Sequence, residues 1–319
     1  MTIKIRTEME KDYFEIAEIQ ALAFTYSFGM GEVLLVDALR HRKAYDRELS
    51  LVAESNGHIV GHVMFTSIDI MIEGKVQKAV NLAPIAIHPA HQKKGIGALL
   101  IEEGHKRCLE KGYDFSILLG DPAYYSRFGY QAGMYGNVAT IIERKHIMKR
   151  SSDIKIRRVQ QADIPVLMEM WDKVYRTDNL AIKPYPSILH WISTSTSVTT
   201  AVVEEDDQVI GYLRYHTHNP KQITYFLARD KNAATKLIEH LNQLISDSED
   251  NLALPLHPLS EEVQQLMEYP FKNVIQAWGA GMIKIFNHNN SYINNYCQNV
   301  VKDKDKIGLI NWPVEFDNC

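Results

Sequence analysis

The chain has 319 residues, 45% hydrophobic and 23% charged, which is the balance of a globular protein with room for two domains of ordinary size. Net charge is −4, with 19 Lys and Arg against 18 Asp and Glu in residues 1–150 and 16 against 21 beyond, so neither half carries the basic surplus of a nucleic-acid binder. No apolar run reaches the roughly 18 residues of a membrane span. Met1-Thr2-Ile3-Lys4-Ile5-Arg6 lacks a signal-peptide core, and Cys108, Cys297 and Cys319 are too few and too scattered for a disulfide framework or a zinc site. A cytoplasmic protein is expected.

In chain order, Lys4-Ile5-Arg6 reads as a short strand, followed by a polar turn through Asp12 and an amphipathic helix. Val52-Ala53-Glu54 and residues 59–63 flank Asn56-Gly57, a strong hairpin signal because both central turn positions need positive φ. Residues 82–87 form an apolar strand that breaks at His88-Pro89. Gln92-Lys93-Lys94-Gly95-Ile96-Gly97 then opens a helix expected over 98–109. Leu100, Gly104 and Cys108 give that helix a core-facing stripe, and Lys111-Gly112 stops it. A strand, a glycine turn and a helix start together make an anion cradle, since free N–H groups at a helix N-terminus point at the ligand. The expected anion is a pyrophosphate. A further strand is expected over 115–119.

The pattern then restarts after the polar stretch Lys149-Arg150-Ser151-Ser152-Asp153. Lys155-Ile156-Arg157 with Asp163 repeats Lys4-Ile5-Arg6 with Asp12, and Val202-Val203-Glu204 repeats Val52-Ala53-Glu54. A third strand (223–228), a helix (233–245) and another strand (252–256) follow in the same order. This reads as tandem duplication of one α/β unit. The second copy has Arg229-Asp230-Lys231-Asn232 where the first has its glycine turn, and no glycine lies between Gly211 and Gly279. It is expected to be a scaffold, a pocket wall or an interface. Beyond it come a turn and a last strand ending near Phe286, a helix over 292–301 and an apolar end over 307–312.

Segment 82–97 resembles the acetyl-CoA-binding motif of the GCN5-related N-acetyltransferase (GNAT) superfamily. The apolar triplet is Ile85-Ala86-Ile87, the spacer His88-Pro89-Ala90-His91, and the motif Gln92 to Gly97. Asp121-Pro122-Ala123-Tyr124-Tyr125-Ser126-Arg127-Phe128-Gly129-Tyr130 resembles the family's closing motif. The resemblance implies two tandem GNAT-like domains, each a mixed, mostly antiparallel sheet flanked by helices. Residues 1–150 would bind acetyl-CoA, 151–290 would be degenerate, and 291–319 would be a tail packing on a domain or a partner.

It further implies that Ile85, Ala86 and Ile87 receive the pantetheine arm, with backbone of Ile85 and Ile87 pairing to it as to an added strand. Backbone N–H groups of Gln92, Lys93, Lys94, Gly95, Ile96, Gly97 and Ala98 would surround the pyrophosphate. Tyr125 would be the general acid that protonates the leaving thiolate. The connection Ser27-Phe28-Gly29-Met30-Gly31 is read as a lid on the acceptor pocket or an ordinary loop. Arg127 faces either coenzyme phosphates or solvent. The base is not identified; Glu32, His62, Asp69 and His88 are the candidates, and Asn81 is placed to orient a water. The expected activity is transfer of an acetyl group from acetyl-CoA, as cosubstrate, to a small-molecule or protein amine by direct attack. The alternative is a non-catalytic acyl-CoA sensor. No metal, nucleic-acid or membrane partner is expected, and a homodimer is the assembly to look for.

Overall fold

The computed structural model describes residues 2–25, 30–149, 153–246 and 250–318. Most of the connection at Ser27 to Gly31, the junction at Arg150 to Ser152 and Cys319 lie outside them. The elements run β1 (Lys4–Thr7), α1 (Tyr13–Ala23), α2 (Gly31–Arg40), β2 (Ser50–Ser55), β3 (His58–Ile72), β4 (Lys75–Ile87), α3 (Ile96–Glu110), β5 (Phe115–Leu119), α4 (Pro122–Tyr125) and β6 (Tyr135–Glu143). The second half adds β7 (Lys155–Arg158), α5 (Ile164–Tyr175), β8 (Ala181–Lys183), β9 (Val198–Glu205), β10 (Gln208–His216), β11 (Asn219–Ala228), α6 (Lys231–Leu244), β12 (Asn251–Leu254), α7 (Glu261–Leu266), β13 (Phe271–Ala277) and β14 (Gly281–Ile285). The tail carries α8 (Ser291–Lys302) and β15 (Gly308–Leu309).

The repeat seen in the sequence is a repeat of ion pairs. Arg6 donates to both carboxylate oxygens of Asp12, at 2.6 and 2.9 Å, and to Glu54 at 2.7 Å. Arg157 donates to both oxygens of Asp163, each at 2.8 Å, and to Glu204 at 2.5 Å. Each aspartate also accepts a backbone N–H three residues back, from Met9 and from Gln160, both at 2.7 Å. The planar guanidinium fork thus ties the first strand, the helix start and the hairpin together identically in both halves. The hairpin turns match as well: Asn56 and Gly57 at φ 53° and 82°, Asp206 and Asp207 at φ 49° and 59°.

The halves nonetheless exchange strands. One sheet runs β1-β2-β3-β4-β5-β14, with β8 beside β3; a second runs β11-β10-β9-β7; a third runs β12-β6-β13, with β15 parallel to β6. So β14, from the second half, completes the first-half sheet antiparallel to β5. In return β6, from the first half, pairs with β12 and β13. The polar stretch near residue 150 divides the copies along the chain, while the hydrogen-bonded sheets cross it.

Three buried clusters position the site. Ile96 and Leu100 of α3 pack with Phe65, Val80 and Leu118. The second half packs an aromatic core around Trp171, Tyr175, Trp191, Tyr212 and Phe226. Between the sheets, α8 inserts Ile293, Tyr296, Cys297 and Val300, a helical i, i+3, i+4, i+7 stripe, against Ile68, Ile70, Met134 and Ile283. The tail therefore packs within its own chain. Tyr296 Oη donates to Met134 O at 2.5 Å and accepts from Gly308 N at 3.1 Å.

A fragment of residues 1–149 lacks the strands that pair with β5 and β6. It is expected to lose the cooperative unfolding transition of the full chain, as followed by circular dichroism; a folded, monomeric fragment would contradict the strand exchange.

Candidate active site

The site begins where β4 parts from β5. The two pair in parallel only from Ala79 to Asn81. Beyond that point β4 leaves β5, whose opposite edge is paired to β14 along its whole length, and Gly120 N donates to Ala280 O at 3.0 Å. On its other edge β4 stays paired to β3, with Val63 opposite Ile85, His62 opposite Ala86 and Gly61 opposite Ile87. His88 N donates to Val60 O at 3.0 Å. In an antiparallel ladder, alternate residues turn their peptide groups to the partner. Ala86 and His88 therefore face β3, and the peptide groups of Ile85 and Ile87 face the gap. The Gln92 side chain takes Ile87 O at 3.2 Å, closing the loop back on the strand.

The loop ends in a helix start with no side-chain cap. Gly95 is the N-cap at φ 79°, a conformation a Cβ would strain, and Lys93 is also left-handed at φ 59°. Alternating left-handed residues aim successive N–H groups into one concavity. Lys94 Nζ donates to Ala90 O at 2.7 Å, bracing the turn. Gln92 to Gly95 are exposed, while Ile96 and Gly97 are buried. The second copy differs at the same place. There Asp230 is the N-cap and its Oδ1 accepts from Ala233 N at 2.9 Å. A carboxylate thus occupies the helix start that would receive an anion, and the bond holds that carboxyl below its usual range.

Tyr125 stands across the gap. Its ring lies where a Cβ on Gly120 would sit at 2.3 Å, so glycine at the end of β5 makes room for it. It meets Tyr124 edge-on at 5.0 Å and Tyr130 at 5.9 Å. Its hydroxyl has no hydrogen-bond partner among the described residues. Burial, with Tyr124 adding to it, pushes the phenol up to about 12. Arg127 stacks over the Tyr124 ring at 4.6 Å and donates to Tyr124 O at 3.2 Å.

Tyr125 and the β4 segment from Asn81 to Ile85 line a cavity of about 730 Å³. Glu32 and Leu35 of α2 line it too, with Tyr135 to Ala139 of β6, Arg214, Ile223 and Ala253 to Pro255 of the second half, and Leu309 to Trp312, Phe316 and Asp317 of the tail. At its floor, at the fork, Asn81 is 1% exposed and both polar atoms of its side chain lack a partner. Of the candidate bases, only Glu32 lines this cavity. His62 is enclosed: Gln20 Nε2 donates to its Nδ1 at 2.9 Å, Ser50 Oγ lies 3.0 Å from its Nε2, and Glu8 lies 3.4 Å away. Burial lowers its pKa. Asp69 sits opposite Lys183 at the far end of β3, and His88 caps its own turn by accepting from Ala90 N at 3.2 Å. None of these three lines the cavity. A pocket wall is one of the roles expected of the second half; the tail's part in the lining escaped the sequence reading, because the aromatic run near Trp312 carries no signal of where in the fold it lands.

A family model described as an acetyltransferase (GNAT) domain matches residues 4–133. The uncharacterized N-acetyltransferase YhbS of Escherichia coli K12 is 37% identical over 84 residues, 26% of this chain and 49% of YhbS. The chain thus spans about half the length of that relative. A GNAT family acetyltransferase from Brucella melitensis, solved in complex with acetyl-CoA, is 40% identical over 41% of this chain and 84% of its own, with a TM-score of 0.37. A GCN5-related N-acetyltransferase from Kribbella flavida aligns over 90% of this chain and 72% of its own, with a TM-score of 0.68 and 16% identity, a likeness of fold that takes in both halves. The chain belongs to the GNAT superfamily.

Because His62 is enclosed by polar partners, His62→Ala is expected to cost about 2–4 kcal/mol of stability in chemical denaturation, through unpaired buried groups. It should leave ligand affinity of the folded protein unchanged.

Proposed function

We propose that this protein transfers an acetyl group from acetyl-CoA to a primary amine, within a ternary complex. The observation that carries the reading is the placement of three features along β4: an unpaired edge, an uncapped glycine-led helix start beyond its C-terminal end, and a phenol without a partner on the wall of the cavity that β4 lines. The peptide groups of Ile85 and Ile87 would receive the pantetheine arm as an added strand. The loop from Gln92 to Ala98 would hold the pyrophosphate on its N–H groups. Its relative from Brucella melitensis, solved with acetyl-CoA, supports the choice of coenzyme. A sensor would need only this half of the cleft. The chamber beyond the thioester position, with Tyr125 on its wall, favours the enzyme.

In this mechanism the neutral amine attacks the acetyl carbonyl, and a backbone N–H of the Ile85-Ala86-Ile87 segment stabilises the oxyanion. The carbon–sulfur bond breaks, Tyr125 gives its proton to the leaving sulfur, and the proton released by the amine nitrogen passes through water to restore the phenol. Burial keeps the phenol protonated, and the same surroundings raise the basicity of a thiolate expelled into them. The second half, with Asp230 across its helix start, serves as a wall of the acceptor chamber.

Gly95→Glu is expected to abolish acetyl-CoA binding in calorimetry, by placing a strained, negatively charged side chain in the cradle. Tyr125→Phe is expected to lower kcat about 100-fold or more with acetyl-CoA affinity unchanged. The wild-type rate should rise with pH as the amine deprotonates. Tyr125, titrating at about 12, should add no falling limb below that pH. Unchanged turnover in Tyr125→Phe would remove the phenol from the acid role.

A further inference from the structure

The walls of the acceptor chamber have one consistent chemistry. Phe24, Trp278, Trp312 and Phe316 bring four aromatic rings to it besides Tyr125 and Tyr135. The ionisable groups that line it are Glu32, Arg214 and Asp317. Arg214 is used within the protein: its Nε donates to Thr224 Oγ1 at 2.8 Å, one Nη to Trp312 O at 2.6 Å, and the other lies 3.9 Å from Asp317. The chamber therefore holds no spare cation for a phosphate or carboxylate on the acceptor. One of its two carboxylates is already beside an arginine, so it is also a poor match for a chain of several ammonium groups.

The rings are held in place. Trp312 lies 6.3 Å from Tyr135 and 5.3 Å from Phe316, centroid to centroid. Two buried arginines pin this end of the tail, one from each half. Arg42 pairs with Glu315 at 3.2 Å, and Arg214 holds Trp312 O and faces Asp317. A preset aromatic surface binds a rigid apolar body with little ordering cost. A volume of about 730 Å³, shared with the acetyl end of the coenzyme, leaves room for a ring and a short arm.

Building on the acetyltransfer reading, we propose that the acceptor is a primary amine carried on an apolar, ring-bearing body, selected by Trp312 and Phe316 of the tail together with Trp278. The body packs on the rings, and the amine points toward the fork of β4 and β5, where the acetyl group is presented.

The test compares phenethylamine and tryptamine with spermidine, following coenzyme A release in the full-length protein. The arylalkylamines are expected to exceed spermidine at least tenfold in kcat/KM. Trp278 is 46% exposed, so Trp278→Ala carries little folding risk; it should raise KM for the arylalkylamine about fivefold with acetyl-CoA affinity unchanged. Trp312→Ala should raise KM further, and Trp312→Phe should restore part of it. Calorimetry of phenethylamine with the coenzyme A-loaded protein reads the same chamber without turnover. Spermidine turned over as well as or better than the arylalkylamines would overturn the acceptor class and leave acetyl transfer standing. Phenethylamine binding that depends on Trp312, with no amine acetylated, would uphold the chamber's chemistry and sink the reaction. No binding of phenethylamine, or KM values indifferent to both tryptophan variants, would overturn the proposal.

Discussion

The parting of β4 and β5 after Asn81 is the constraint on which the site depends. A strand inside a sheet normally satisfies both edges, because an unpaired buried peptide group costs as much as a lost hydrogen bond. Here β4 keeps β3 on one side and gives up β5 on the other just where its sequence turns to Leu82-Ala83-Pro84-Ile85. The far edge of β5, opposite the one that faces β4, is taken by β14. β14 pairs with it along its whole length, and the Gly120–Ala280 bond carries the pairing into the following turn. The Tyr125 ring then fills the space beside Gly120. A strand from the second half thus anchors β5, while the edge facing β4 stays unpaired past Asn81.

The two copies of the unit differ at the helix start. Both keep the arginine–carboxylate knot that ties strand, helix start and hairpin. Only the first keeps an open helix start. In the second, Asp230 satisfies its own helix N-terminus, a stabilising arrangement that excludes an anion. The second copy supplies structure: β14 for the neighbouring sheet, β12 and β13 for β6, and a wall of the cavity.

Much of this was legible in the sequence where the signal is local. The glycine turn, the helix after it, both hairpins and the repeat of Arg6 with Asp12 as Arg157 with Asp163 follow from short-range chemistry and periodicity. Boundaries moved little: α3 begins at Ile96, where a start at Ala98 was expected, and α8 runs from Ser291 to Lys302, where 292–301 was expected. β4 begins earlier than the apolar run suggested, since Lys75 to Asn81 is a hairpin arm half exposed to solvent. What could not be read is which edge each strand chooses. The pattern of β14 states that one face is buried, and nothing in it names β5 as partner. His62 misled for a related reason: an imidazole on an apolar strand looks the same in sequence whether it faces a cleft or, as here, an enclosed set of Gln20, Ser50 and Glu8.

The tail shows why the chamber belongs to the whole chain. Its buried carboxylates need partners, and they find Arg42 from one half and Arg214 from the other. Burying such pairs adds little net stability, since desolvation offsets most of the attraction, but a mispaired register would leave charges uncompensated and is strongly disfavoured. The pairs therefore act as a registry device for the segment between them. They fix Trp312 and Phe316 against Tyr135 of β6, the strand the first half contributes to the second. The cavity is thus the seam where exchanged strands meet, and the geometry of its aromatic wall is set by the pairing of the halves.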